Sequence, residues 1–224
     1  MSTRRPAKKP AGLPGPTFEV ERELLSAGAV IAGLDEVGRG AWAGPVTVGA
    51  VVLDPDQIPA GLRDSKQLAP VPRAALAEQL HARAVIAVGE VPVRELDRIG
   101  LAAALRLAAR RALAALAVRP DTVLIDGPVD LLHGEGLSTR CIVGGDDRVA
   151  SIAAASIVAK VHRDAGMVAL HDTYPRYGFA SHKGYATPAH RAALGTYGPC
   201  EVHRHSWQPI RALLADQLEL PGTA

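Results

Sequence analysis

Residues 32–53, AGLDEVGRGAWAGPVTVGAVVL, decide how this chain is read. Apolar runs at Ala29–Leu34 and Val46–Leu53, joined by a glycine-rich turn, predict two paired strands. The first ends on Asp35 and Glu36, adjacent carboxylates that repel each other and are costly beside apolar groups. Gly38-Arg39-Gly40 follows at once, a turn signal in its plainer reading.

Other acids fall in similar places. Asp126 ends the buried run Asp121–Asp126, and Asp146 with Asp147 follows a short strand at Cys141–Val143. In α/β sheets the ends of neighbouring strands converge, so these carboxylates are expected to meet. Oxygen donors without His or Cys suit hard cations, Mg²⁺ or Mn²⁺, which would offset the repulsion. Two such ions roughly 3.5–4 Å apart would activate a water and stabilise the leaving oxygen of a phosphodiester. Each acid also has a plainer reading: Asp126-Gly127 as a turn, Asp35-Glu36 as a solvated hairpin end, and Asp146 in the N-cap region of a helix.

The remaining pattern predicts a short helix over Thr17–Ser26 capped by Thr17, and a polar loop at Asp64–Leu68 before a helix from about Pro72. Beyond these come a strand at Val85–Val91, helices at Leu101–Ala117 and Val149–Asp172, and an irregular stretch, YPRYGFASHKGYATP. Thr187-Pro188 opens another helix, and a last one covers Pro209–Leu218. Strands interleaved with helices predict an α/β domain with a mixed central sheet flanked by helices and a helical C-terminal extension. The expected organisation is a flexible basic tail at 1–16, one catalytic domain at 17–216 and a tail at 217–224.

The 224 residues are 48% hydrophobic, enough for a proper core, and carry a formal net charge of +2. Arg4, Arg5, Lys8 and Lys9 account for four positive charges, and subtracting them leaves −2 for the rest. Any nucleic-acid binding therefore needs a localised patch. Cys141 and Cys200 lack metal-ligand spacing and are expected as reduced thiols. No apolar run approaches a membrane span or follows the basic start as a signal peptide would, so a cytoplasmic location is expected.

AGLDEVGRG, DSKQL, VLIDG, GGDDRVASIAAASIVAKVHRD and YGFASHKGYATPAH together resemble, in order and spacing, the motifs of bacterial ribonuclease HII across residues 28–212. The DEVGRG form is similar to HII rather than HIII, and no N-terminal substrate-binding domain is expected. The resemblance implies a ribonuclease H-like fold. It also implies cleavage of the RNA strand of RNA–DNA hybrids and at single ribonucleotides within duplex DNA. Its catalytic and metal positions correspond to Asp35, Glu36, Asp126 and Asp146. The family commonly has Lys-Gly-Asp where this chain has Gly144-Gly145-Asp146. That departure removes a positive charge and leaves open whether Asp146 or Asp147 is the fourth ligand.

Sensing one ribonucleotide in DNA means sensing a 2′-hydroxyl. Glycines let a backbone approach a sugar closely, and the resemblance assigns that role to Gly38, Arg39 and Gly40, with Tyr185 stacking on the adjoining deoxyribose. On the long helix, Ser156, Lys160 and Arg163 share a narrow arc opposite an apolar face, a phosphate-holding patch or simply a solvated face. Asp64, Ser65 and Lys66 have polar, cationic chemistry suited to a phosphate, and the resemblance places them near nucleic acid. His182 and Lys183 are given no catalytic role.

Gln217-Leu218-Glu219-Leu220 resembles the Gln-Leu-x-Leu peptides that bind the bacterial sliding clamp, or is the frayed end of a helix. The alternatives to a ribonuclease are a non-catalytic nucleic-acid-binding domain of the same fold and a related nuclease or integrase acting on DNA alone. The Gly-Arg-Gly and Tyr185 pair conflicts with the second.

Overall fold

The structure, a computed structural model, describes residues 15–25 and 28–219, with only the backbone of 216–219. The basic cluster Arg4–Lys9 and Leu220 of the clamp-like peptide lie outside the described residues. Among the described residues, no helix is long and apolar enough to cross a membrane.

Five strands form one mixed sheet: β1 (Ile31–Val37), β2 (Val46–Leu53), β3 (Ala84–Val91), β4 (Thr122–Asp126) and β5 (Ser138–Ile142). Their order is β3-β2-β1-β4-β5; β2 pairs antiparallel with β1 and β3, while β4 runs parallel to β1 and β5. Eight α-helices are described: α1 (Glu19–Leu24), α2 (Pro70–Arg83), α3 (Val93–Ile99), α4 (Leu101–Ala115), α5 (Ala150–Thr173), α6 (Phe179–His182), α7 (Pro188–Tyr197) and α8 (Gln208–Glu219).

Helix α4 covers one sheet face, packing Ala104, Leu105, Ala108 and Ala112 against Val48, Ala50, Ala87 and Val91. Helix α5 covers the other with a run of alanines. Those small side chains let α5 come very near β1: a Cβ at Gly33 would lie 2.2 Å from the Ser151 backbone carbon. Glu21 of α1 is fully buried and its Oε1 accepts the Ser151 amide at 2.7 Å, satisfying one of the free donors in the first turn of α5. Helices α6 and α7 and the segment after them pack as a further layer around Phe179, Tyr177, Met167 and Leu194.

Several boundaries differ from the sequence reading. Strand β1 runs on to Val37, so Asp35 and Glu36 lie within it, opposite Gly49 and Val48 of β2. Strand β5 sits at Ser138–Ile142, earlier than the Cys141–Val143 expected, because its pairing with β4 begins at Thr122 opposite Ser138. Helix α1 starts at Glu19; Thr17 forms a bridge with Val149 instead of capping it. Thr187 does cap α7, its Oγ1 accepting the His190 amide at 3.2 Å. Helices α3 and α6 were not expected, being only 7 and 4 residues long, too short for a periodic pattern.

Candidate active site

The sheet register builds the acidic centre. The parallel pairing of β1 and β4 reaches Leu34 opposite Ile125, so Asp35 and Asp126 are the next residue on each strand. Asp126 is in turn opposite Ile142, the last residue of β5, and the chain then bends through Gly144 into a 3₁₀ turn at Gly145–Asp147. The Gly145 amide donates to Asp126 Oδ1 at 2.7 Å, tying that turn to the end of β4.

Asp35 is buried at 5% exposure and Asp146 at 7%; Glu36 and Asp126 are half-buried. Burial raises the Asp35 pKa well above the usual carboxylate value, and the charges of Glu36 and Asp126 push it further; a hydrogen bond from Ser156 and the charge of Lys66 oppose them. The Glu36 pKa is raised by burial, with Arg39 opposing and Asp126 reinforcing. Burial likewise lifts Asp146, with Asp64 and Asp126 adding, to about 6. Several acids are thus held where their charges act on one another without enough positive charge to compensate.

Lys66 answers part of that deficit. Its Nζ lies 3.5 Å from Asp146 Oδ2 and 3.6 Å from Asp64 Oδ1. Burial works against its charge, but Asp64, Asp35 and Asp146 outweigh that and raise its pKa. Among the described residues near Asp146, Lys66 is thus the cation whose charge offsets it. Asp147 instead accepts a hydrogen bond from Gln67. Asp146 shares the electrostatics of Asp126 and Lys66.

Among the described residues, no three acidic, His or Cys side chains already form a metal cage. The chemistry of the donors nevertheless fits a hard cation: all are oxygens, and binding an ion would reverse the repulsion that raises the Asp35 and Asp146 pKa values.

The loop after β1 lies beside this centre. Arg39 and Gly40 are exposed, while Gly38 is buried. Gly38 has φ +85°, and a Cβ there would lie 2.3 Å from Arg163 Nε, so glycine is required by the fold. No atom lies within 4 Å of where a Cβ at Gly40 would be, which leaves that side open. Tyr185 is half-buried, with the Arg163 guanidinium 5.5 Å from its ring centroid and Lys160 Nζ 6.0 Å away.

The expected cationic arc on α5 needs correction. Ser156 and Arg163 are buried, at 3% and 1% exposure. Ser156 shares a 2.8 Å hydrogen bond with Ser65, and Arg163 donates to the carbonyls of Pro45, Ala43 and Lys183. Loops fold over that helix face, which no helical wheel records. Arg163 therefore has no guanidinium donor set turned to solvent for a phosphate. Lys160 is half-buried and donates to Asp164 Oδ1 at 2.6 Å.

Sequence reading also passed over Arg73, whose Nε and Nη2 donate to Ser65 O and Leu68 O at 2.8 and 2.7 Å, fixing the Asp64–Leu68 loop. It passed over Arg204, and it gave no role to His182 and overlooked the buried trio this residue forms with His190 and His203, in which His190 stacks on His182 at 4.4 Å and its Nε2 lies 3.0 Å from His203 Nε2. Nothing local marks Arg204, whose partners are distant in sequence; Arg73 and the histidines meet nearer residues, but only in the folded chain.

A mixed sheet in this order, with α5 and α4 on opposite faces and acids where β1 and β4 run together, defines an α/β protein of the ribonuclease H-like class. The ribonuclease H2 of Pyrococcus horikoshii OT3 has this architecture: TM-score 0.72, 27% identity, covering 85% of this chain and 99% of that one. The ribonuclease HII in the PCNA complex from Archaeoglobus fulgidus gives a TM-score of 0.70 at 27% identity, over 80% and 95% of the two chains. A ribonuclease HII of Jannaschia sp. (strain CCS1) is 48% identical over 200 residues, 89% of this chain and 98% of the relative. With the family model for ribonuclease HII matching residues 32–210, the chain belongs to the ribonuclease HII family and is a ribonuclease.

Proposed function

We propose that this chain hydrolyses the RNA strand of RNA–DNA hybrids and cuts duplex DNA at single embedded ribonucleotides. Asp35, Glu36, Asp126 and Asp146 would hold Mg²⁺ or Mn²⁺. When bound, two such ions supply a nucleophilic water and charge stabilisation for the displaced oxygen. The observation that carries the reading is the set of under-compensated acids on adjoining strand ends, beside the Gly38–Gly40 loop with Arg39 and Gly40 exposed.

The chain's own residues divide the remaining work. Gly38, Arg39 and Gly40 approach the ribose closely, and Tyr185 stacks on the next sugar, oriented by the two cations beside its ring. Asp64, Ser65 and Lys66 take a phosphate near the acids, with Lys66 the exposed charge; Lys160 contributes positive potential and Ser156 holds Asp35 and Ser65. Arg163 serves this interface from behind, through backbone carbonyls. Residues 17–216 act as one catalytic unit in the cytoplasm. Gln217–Leu220 engages a sliding clamp, a reading supported by the PCNA complex of the Archaeoglobus relative.

Cleavage of three duplexes, all-DNA, RNA–DNA hybrid and single-ribonucleotide, with and without Mg²⁺ or Mn²⁺, tests this. The wild-type protein should cut the latter two only with metal, and Asp126→Asn should lower that activity by at least about 10³-fold while remaining folded. Retained activity in Asp126→Asn would remove the acidic centre from the chemistry, and binding without turnover would favour a non-catalytic nucleic-acid-binding domain.

A further inference from the structure

The loop that leaves β1 and returns into β2 rests on two buried guanidinium groups. Arg204, on the segment after α7, is fully buried. Its Nη2 donates to Gly38 O at 2.6 Å and Pro45 O at 3.0 Å, its Nη1 to Arg39 O at 3.1 Å, and its Nε to Gly44 O at 3.0 Å. Arg163, from α5, reaches Pro45 O at 3.0 Å and Ala43 O at 3.1 Å, so both arginines share the Pro45 carbonyl.

Among the described residues, no carboxylate lies within ion-pair distance of either guanidinium. Burying a charge this way is costly unless every donor is used. Burial, with Arg163 nearby, brings the Arg204 pKa down to about 9. The indole of Trp207 lies 4.9 Å from the Arg204 guanidinium carbon. The compensating partners are the loop carbonyls, so the conformation of residues 38–45 and the comfort of Arg204 depend on each other.

The segment carrying Arg204 is itself held from elsewhere. Asp97, on α3, accepts the amides of His205 at 2.8 Å and Ser206 at 3.1 Å, as well as the Ser206 hydroxyl. A chain of contacts thus runs from α3, through residues 204–206, to the backbone beside Glu36.

We infer that Arg204 is a positioning residue for ribonucleotide cleavage: it fixes the Gly38–Pro45 backbone through four carbonyls, and Asp97 fixes Arg204. The part concerning cleavage rests on the ribose-reading role proposed above; the part concerning the loop does not. Lysine at 204 would keep the charge but cannot fork to four carbonyls.

Amide hydrogen exchange of full-length protein, read together with steady-state cleavage of a single-ribonucleotide duplex, tests this. In Arg204→Lys, exchange at residues 38–44 should rise at least about tenfold, with β4 and α5 unchanged. The kcat should fall about 10- to 100-fold with KM altered less than about threefold, since phosphate contacts set most of the affinity and loop placement sets the geometry. Asp97→Asn, a milder change outside the loop, should raise the same exchange about threefold and carries the test if Arg204→Lys does not fold. Wild-type exchange at 38–44 in a folded variant, or a rise spread evenly over the sheet, overturns the inference. A wild-type protein that ignores single ribonucleotides defeats the ribose-reading proposal instead, and leaves the exchange result to decide the positioning.

Discussion

Asp35 and Arg204 are both ionisable and both buried, at 5% and 0% exposure, yet their surroundings treat them in opposite ways. Arg204 spends its donors on four loop carbonyls. Asp35 faces Glu36 and Asp126, and its pKa is raised rather than lowered. Burial disfavours both charged forms, taking the Arg204 pKa down to about 9, but the arginine's charge is met by protein carbonyls alone and so it belongs to the scaffold. The acid is left under-compensated, which costs stability and is tolerated where a ligand restores the balance.

The comparison is sharpened most by separating neighbours. Asp146 is buried and shares the field of Asp126 and Lys66, whereas Asp147 pairs with Gln67. Asp146→Asn should lower kcat/KM in Mn²⁺ by at least about 10³-fold and Asp147→Asn by less than about threefold, measured on one hybrid substrate. Equal losses would erase the distinction between an under-compensated acid and a paired one.

A smaller effect comes from the histidines behind the loop. Burial lowers the His190 and His203 pKa values to about 4, and that of His182 below its usual value. The groups facing them include Lys183, His171, His205, Tyr177 and Cys200. A folded pKa below the unfolded 6.5 means that the unfolded chain binds more protons, so stability is complete above pH 6.5 and declines as pH falls toward about 4. The raised Asp146 acts oppositely, gaining stability as pH falls through about 6. Amide exchange corrected for its intrinsic pH dependence should therefore quicken first in residues 179–205 between pH 6.5 and 4.5, while β1 and β4 hold. Uniform loss across both regions would contradict the separation.

How much of this could be read beforehand follows from the range of each interaction. Strand β2 and helix α5 announce themselves through local apolar pattern, to within a residue or so. The convergence of Asp35 and Asp126 is legible because strand ends of a parallel pair must adjoin. That Arg163 lies inside is not, because the carbonyls that hold it come from residues 43, 45 and 183, well over a hundred positions away in two cases. Arg204 gives no local signal at all, since its partners lie about 160 residues earlier. The approach of Lys66 to Asp146, from a loop about eighty positions earlier, is likewise a tertiary fact.

The central claim is that the acidic centre is strained because it is built for a cation, and thermal unfolding in chelator and then in Mn²⁺ tests it directly. Asp35→Asn removes a charge whose raised pKa makes it destabilising near pH 7.5, so the variant should melt at least about 3 °C above wild type in chelator. Mn²⁺ should raise the wild-type midpoint and leave the variant nearly unmoved. A variant that melts lower in chelator, or a wild-type protein indifferent to the ion, would contradict the account.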